Sequence, residues 1–325
     1  MKARNLDSAI VVITGASSGI GRATAQAFAQ QGACLVLAAR DKAALDDTVA
    51  ECLLLGGRAI GVPTDVTLME SVSQLAERAL EFGHGQIDIW VNNAGIGAVG
   101  KFDETPFEAH ERVVQTDLLG YLRGAYAVVP VFKRQGSGVL INTLSVGSWV
   151  PLPYAAAYSA AKSGLRGFTE ALRGELTRWS DIHVCDVYPA FIDTPGLRDG
   201  GNYSGRTIKP TPPVYDARKV ARAILSMARY PRKSTTVGQA ATVLRAAHAL
   251  VPGYARLSRI FMDRALSRME PVEHSSGNLF SPPSGNRSVD GGWRRPDERM
   301  VVAATSAAAL VFGAYLYRRL TERSD

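Results

Sequence analysis

The chain has 325 residues, 46% of them hydrophobic and 21% charged, so a core can form without disulfides or structural metals. The formal net charge of +7 fits an anionic cofactor or an anionic membrane surface. No basic run is interleaved with aromatics, which argues against a nucleic-acid partner, and the scattered cysteines and histidines show no metal-ligand spacing.

Residues 1–8 are short and polar and lack the apolar stretch of a secretory signal. Beyond them, apolar runs at 9–14, 34–39, 58–63, 87–92, 139–144 and 183–188 read as strands. Helical stretches lie between them, near 19–31, 41–55, 67–82, 107–134 and 155–179. The strand runs are rich in Val, Ile and Leu without strict alternation, as a sheet covered on both faces requires. The alternation predicts an α/β fold of Rossmann type, a doubly wound parallel sheet. A helix at 216–229, a short strand at 235–238 and two C-terminal helices at 239–250 and 254–268 continue the pattern.

Between 270 and 299, Pro, Gly, Ser, Asn and Arg dominate, which reads as a flexible linker. Residues 301–317 carry no charge and lie between Arg299 and Arg318. As a helix they span about 26 Å, near the lower limit for a bilayer core. They read as a transmembrane anchor, or else as an Ala-rich soluble helix docking on a partner. The expected organisation is a Rossmann-type domain over 1–240, a helical extension over 241–269, a linker over 270–299, a terminal membrane helix over 300–318 and a basic tail over 319–325. The expected location is membrane-associated with the Rossmann-type domain on the cytoplasmic side, or plainly cytoplasmic.

Residues 14–21, TGASSGIG, follow a strand-like run and open a helix-like one. Gly15 permits a tight turn, Gly19 lets backbone approach a pyrophosphate, and Gly21 lets the helix pack on the sheet. The turn through Ser17, Ser18 and Ile20 is therefore a candidate phosphate site. The second strand ends in Ala39, where an acidic residue would grip the ribose of NAD. Arg40 follows instead and can pair with a 2′-phosphate, favouring NADP(H), although Asp41 beside it could soften the preference.

Tyr158 and Lys162 open a predicted helix at i, i+4 spacing, on one face. A nearby ammonium should lower the phenol pKa, so Tyr158 can exchange a proton with a substrate oxygen. Ser145, just past the strand at 139–144, can hold that oxygen as charge develops.

With these motifs in this order, the chain resembles the short-chain dehydrogenase/reductase family in its shorter, single-domain form. The matching pieces are TGASSGIG, Asp65-Val66, Asn92-Asn93-Ala94-Gly95, Ser145, YSAAK at 158–162, and Tyr188-Pro189-Ala190 through Thr194. The resemblance implies Ser145, Tyr158 and Lys162 as the catalytic three, with Lys162 also on the nicotinamide ribose. It implies Asp65 and Val66 at the adenine, and Asn92 through Ala94 and Gly95 lining the cofactor and supporting the central sheet. It places Pro189, Ile192 and Thr194 at the nicotinamide, and it implies a homo-oligomer. One position departs: where the family carries Asn in an Asn-Leu-x-Gly pattern, this chain has Asp117-Leu118-Leu119-Gly120. That Asn is thought to hold a water in a proton relay, so Asp117 is expected to preserve activity with a changed pH profile.

Substrate loops are expected at 146–154 and 191–215, where Trp149, Pro151, Leu152, Pro153, Tyr154 and Phe191 suggest a hydrophobic carbonyl or alcohol. Arg198, Arg206 and Lys209 are the basic groups there. A non-catalytic NADP(H)-binding sensor or scaffold, tethered to a membrane, is the competing reading; Asp117 is its support.

Overall fold

The computed structural model describes residues 3–251, 253–283 and 287–294. In chain order the elements run β1 (Ile10–Thr14), α1 (Gly19–Ala29), β2 (Cys34–Ala39), α2 (Lys42–Leu54), β3 (Arg58–Pro63), α3 (Met69–Phe82), β4 (Ile89–Asn92) and β5 (Ala98–Val99). Next come α4 (Phe107–Val114), α5 (Gly120–Gln135), β6 (Ser137–Thr143), α6 (Ala156–Glu175), β7 (Asp181–Pro189), β8 (Ile192–Asp193), α7 (Gly196–Asp199) and β9 (Gly201–Asn202). The chain continues through β10 (Tyr215–Asp216), α8 (Ala217–Arg229), β11 (Ser234–Val237), α9 (Gln239–Leu250) and α10 (Tyr254–Ser267).

Seven strands form one parallel sheet in the order β11-β7-β6-β4-β1-β2-β3. Its faces are covered as the apolar runs demand. Val11 and Ile13 of β1 point into one core with Phe28 of α1 and Ile224 of α8. Val12 points into the other with Leu75 of α3 and Phe132 of α5. Connections leave in opposite directions from β1, so the crevice between the carboxyl ends of β1 and β4 is where a ligand site belongs. The three cysteines are free and buried. Burial pushes the Cys52 and Cys185 thiols up to about 12, so both are inert.

Two expectations change. The helix read over 107–134 is broken: a π-helical turn at Gln115–Leu119 separates α4 from α5. Such one-turn widenings recur at functional sites, and this one carries Asp117. The stretch read as a flexible linker docks instead. Residues 270–283 and 287–294, called the strap below, lie along the carboxyl-end side of the sheet. Ser275 and Pro271 bridge antiparallel to Asn202 and Arg206, and Leu279 is fully buried with Ala98, Ala109 and Val113. Farther on, the buried carboxylate of Asp193 accepts from Gly291 N, Trp293 N and Arg294 Nε at 3.0, 2.8 and 3.0 Å. Backbone hydrogen bonds and ion pairs hold the strap, and hydrophobic periodicity does not report these.

Among the described residues no helix is long and apolar enough to cross a membrane. The apolar segment 301–317 lies outside the described residues.

Candidate active site

The glycine turn forms because β1 ends in Thr14, whose Oγ1 accepts from Asn93 N and Ala94 N at 2.9 and 3.1 Å. This ties the turn to the end of β4. Gly15 sits at φ +67°, and a Cβ there would stand 2.8 Å from Ala94 Cα. A Cβ on Gly21 would stand 2.0 Å from the Gly15 carbonyl, so α1 can approach only without one. Ser17, Ser18, Gly19 and Ile20 then face a cleft of about 430 Å³.

That cleft brings together most of the residues singled out by sequence. Arg40, Asp65, Val66, Ala94, Gly95, Pro189, Ile192 and Thr194 line it beside the glycine turn, and Asp117, Ser145, Tyr158 and Lys162 close its far end. Asn92 does not reach it. Its amide donates to Asn142 Oδ1 and the Tyr121 carbonyl and accepts from Trp90 Nε1, so it braces β4 against β6. Asn93 takes the place expected of it at the cleft wall.

Ser145 caps a 3₁₀ turn (Val146–Ser148), its Oγ accepting from Gly147 N at 3.0 Å. It faces the cleft with the Tyr158 phenol, whose pKa it helps to lower. A Cβ on Gly147 would come within 3.2 Å of the Tyr158 ring, so glycine there permits the approach. One helical turn on, Lys162 is 3% exposed. Its Nζ donates to the Thr143 carbonyl at 3.2 Å and the Tyr121 hydroxyl at 3.3 Å. It also stands 3.2 Å from Asp117 Oδ2. That contact is an ion pair without hydrogen-bond alignment, since Oδ2 has no hydrogen-bond partner while Oδ1 accepts from Ile96 N at 2.8 Å.

The electrostatics differ from the expectation. Burial lifts the Tyr158 phenol above its usual range; Lys162 opposes this, and the Asp117 carboxylate adds to it. Asp117 opposes the charge expected to depress Tyr158. Burial likewise pushes the Asp117 carboxyl up, against the pull of Lys162. Burial alone would lower Lys162, but Tyr121, Asp117 and Tyr158 outweigh it, and the lysine stays protonated. Tyr121, which no motif marked, is pushed up to about 12 by burial and donates its proton to the Thr143 carbonyl at 2.9 Å.

At the opposite end, Arg40 does reach the cleft, but the strap takes part of its fork. Nη1 donates to the Leu279 carbonyl at 3.0 Å and Nη2 to the Asn278 carbonyl at 2.5 Å. Arg112, also missed by sequence, donates to that same Leu279 carbonyl and ion-pairs with Asp65 at 2.8 Å. Burial pushes the Asp65 carboxyl up, but hydrogen bonds from Thr67 and Arg112 outweigh it and hold it low. Asp41, the feared complication, is ion-paired with Arg287 of the strap.

The substrate mouth is apolar but narrower in membership than expected. Val146, Leu152, Phe191 and Leu197 line it. Trp149 turns away, stacked between the guanidiniums of Arg166 and Arg245 at 4.4 and 3.8 Å from its centroid. Tyr154 hydrogen-bonds Asp263 of α10. Arg206 donates to the Met269 carbonyl at 3.2 Å, and Arg198 pairs with Asp199 at 2.8 Å.

Comparison with known proteins agrees with this geometry. The family description "short chain dehydrogenase" matches residues 9–201. The uncharacterized oxidoreductase YxnA of Bacillus subtilis strain 168 is 32% identical over 330 residues, covering 96% of this chain and 91% of its own. An alcohol dehydrogenase of the archaeon Thermococcus sibiricus, solved with 5-hydroxy-NADP, superposes with a TM-score of 0.61 at 28% identity, covering 70% of this chain and 95% of its own. A metagenomic short-chain oxidoreductase solved with NADP gives 0.60 at 26%, covering 72% and 97%.

Proposed function

Because the chain belongs to the short-chain dehydrogenase family, we propose that this oxidoreductase uses NADP(H) to move a hydride between the nicotinamide and a hydrophobic carbonyl/alcohol pair. The observation that carries the reading is the single cleft with the glycine turn and Arg40 at one end and Ser145, Tyr158 and Lys162 at the other. Both solved neighbours hold an NADP-type cofactor, which supports the choice over NAD(H).

The residues present fit such a group. A Cβ on Gly15 or Gly19 would crowd Ala94 or Thr194, so glycine keeps the turn tight, and the amino-terminal end of α1 with its dipole faces the cleft where the phosphates would lie. Arg40 would take the 2′-phosphate, Asp65 and Val66 the adenine, and Pro189, Ile192 and Thr194 the nicotinamide. When bound, the cofactor supplies or accepts the hydride.

The chain's own residues handle the proton and the oxygen. In reduction, Ser145 Oγ–H holds the carbonyl oxygen and Tyr158 gives it the phenolic proton as negative charge develops there. Lys162, held by Asp117, Tyr121 and Thr143, stabilises the resulting phenolate from a fixed position. A buried phenol with a raised pKa stays protonated near neutral pH, which is the form that carbonyl reduction uses. The apolar mouth suits medium or large hydrophobic substrates. We read 301–317 as a membrane tether that keeps the enzyme near such substrates. Fractionation of the full chain beside a chain ending at 299 tests this, and equal solubility would refute it.

The functional reading is tested by following NADPH oxidation with hydrophobic ketones and aldehydes. NADPH consumption with matching alcohol formation is expected. Tight NADPH binding without turnover on any carbonyl would favour the sensor reading.

A further inference from the structure

The strap does more than cover the adenosine end of the cleft. Its Arg287 is pinned above the glycine turn: the Arg287 carbonyl accepts from Arg22 Nη1 at 2.8 Å, and the next carbonyl, of Ser288, accepts from Gly19 N at 3.1 Å. Arg22 is itself fixed by Glu51 at 2.6 Å. The guanidinium of Arg287 lines the same cleft as Arg40, Ser17 and Ser18. Its Nη2 donates to the Pro283 carbonyl at 2.8 Å and pairs with Asp41. Its Nε is buried with no partner among the described residues, and so is Oδ1 of Asn278 at the Arg40 end of the strap. Unpaired buried polar atoms are costly, and both belong to residues that line the cleft at the Arg40 end.

We propose that Arg287, delivered by the strap from far along the chain, is the second guanidinium of the 2′-phosphate pocket and acts with Arg40 to select NADP(H) over NAD(H). This rests on the NADP(H) reading above. The chemistry is direct. A 2′-phosphate is a dianion rich in acceptors, matched by guanidinium donors. Arg40 alone would face it with an acidic neighbour, Asp41, beside it. Arg287 cancels that carboxylate and keeps an uncommitted donor. Because the carbonyls of Arg287 and Ser288 are already tied to α1 and the glycine turn, little ordering remains to be done when the cofactor binds. Asn278 supplies an acceptor of the kind an adenine amino group needs.

The test is calorimetric binding to the full chain of two probes that differ only by the 2′-phosphate, adenosine 2′,5′-bisphosphate and AMP. The wild type should prefer the bisphosphate. Arg287→Ala should weaken the bisphosphate about tenfold or more and leave AMP within about twofold, as loss of a charge-assisted contact predicts. Arg287→Lys keeps the charge without the fork and should fall between. If Arg287→Ala does not fold, Arg287→Lys carries the test, with a selective loss for the bisphosphate expected. Equal losses for both probes, or none for the bisphosphate, would overturn the proposal. A wild type without any preference would remove the NADP(H) reading as well, an outcome distinct from failure of Arg287 alone.

Discussion

The two ends of the cleft are built on opposite plans. The catalytic three lie within a short span of sequence: Ser145 caps the turn after β6, and Tyr158 and Lys162 lie in the first turns of α6. Its charges are buried and mutually compensated, with Lys162 against Asp117 at 3.2 Å. The adenosine end joins residues far apart in the chain, Arg40, Asp65 and Arg112 with Asn278, Leu279 and Arg287, through half-exposed ion pairs and backbone carbonyls. Chemistry is thus placed on rigid elements that the sheet positions, whereas cofactor choice is placed on a segment that docks through polar contacts from far along the chain. Damage at the first end should appear in kcat or in global stability. Damage at the second should appear in cofactor affinity.

The largest effect should come from Tyr158→Phe. Losing the proton donor should lower kcat about 10²–10⁴-fold with the NADPH Kd little changed. A comparable loss of affinity would blur the division between the two ends. Lys162→Ala tests the buried charge pair. It strands the Asp117 carboxylate, and urea unfolding should show a loss of about 3–5 kcal/mol. A loss below about 1 kcal/mol, the scale of an exposed pair, would mean the pair is solvated and the compensation argument fails.

At the other end, Arg40→Ala should raise the NADPH Kd about 10- to 100-fold while kcat at saturation stays near wild type. It should also free the Asn278 carbonyl and leave the Leu279 carbonyl to Arg112 alone, so protease should cut the strap faster. A fall in kcat without a change in Kd would reverse the assignment.

The smallest effect is a shift in pH profile. The Asp117 carboxylate adds to the raised pKa of Tyr158. Asp117→Asn removes that contribution, so the Tyr158 pKa should fall. The alkaline limb of carbonyl reduction, lost as the phenol ionises, should move to lower pH, and the limb for alcohol oxidation should move the same way. A limb that stays in place or moves upward would show that Asp117 does not tune Tyr158.

The same division explains what could be read without the structure. β2 matches its apolar run end to end because a strand buried on both faces of a parallel sheet leaves a continuous signal. The glycine turn and the Tyr158–Lys162 pair are local spacings, visible in a handful of letters. The π-helical turn at Gln115–Leu119 has no such signature, since one extra residue per turn is absorbed inside a helix that reads as unbroken. Trp149 looked like a substrate contact because aromatic residues in loops often are, but two guanidiniums from α6 and α9 hold it elsewhere. The strap was illegible for a different reason. Its composition suits a mobile linker, and the bonds that dock it come from main-chain carbonyls and from Asp193, Arg40 and Arg112, which no periodicity connects to it.

The most direct test of the central claim uses NADPH deuterated at C4 on the transferring face. The full chain is incubated with it and a panel of hydrophobic ketones and aldehydes, and the alcohols are analysed by mass spectrometry. The account predicts deuterium on the former carbonyl carbon of the product, formed by the wild type and nearly abolished by Tyr158→Phe. NADPH that binds but transfers no deuterium to any carbonyl, or transfer that survives undiminished in Tyr158→Phe, would contradict it.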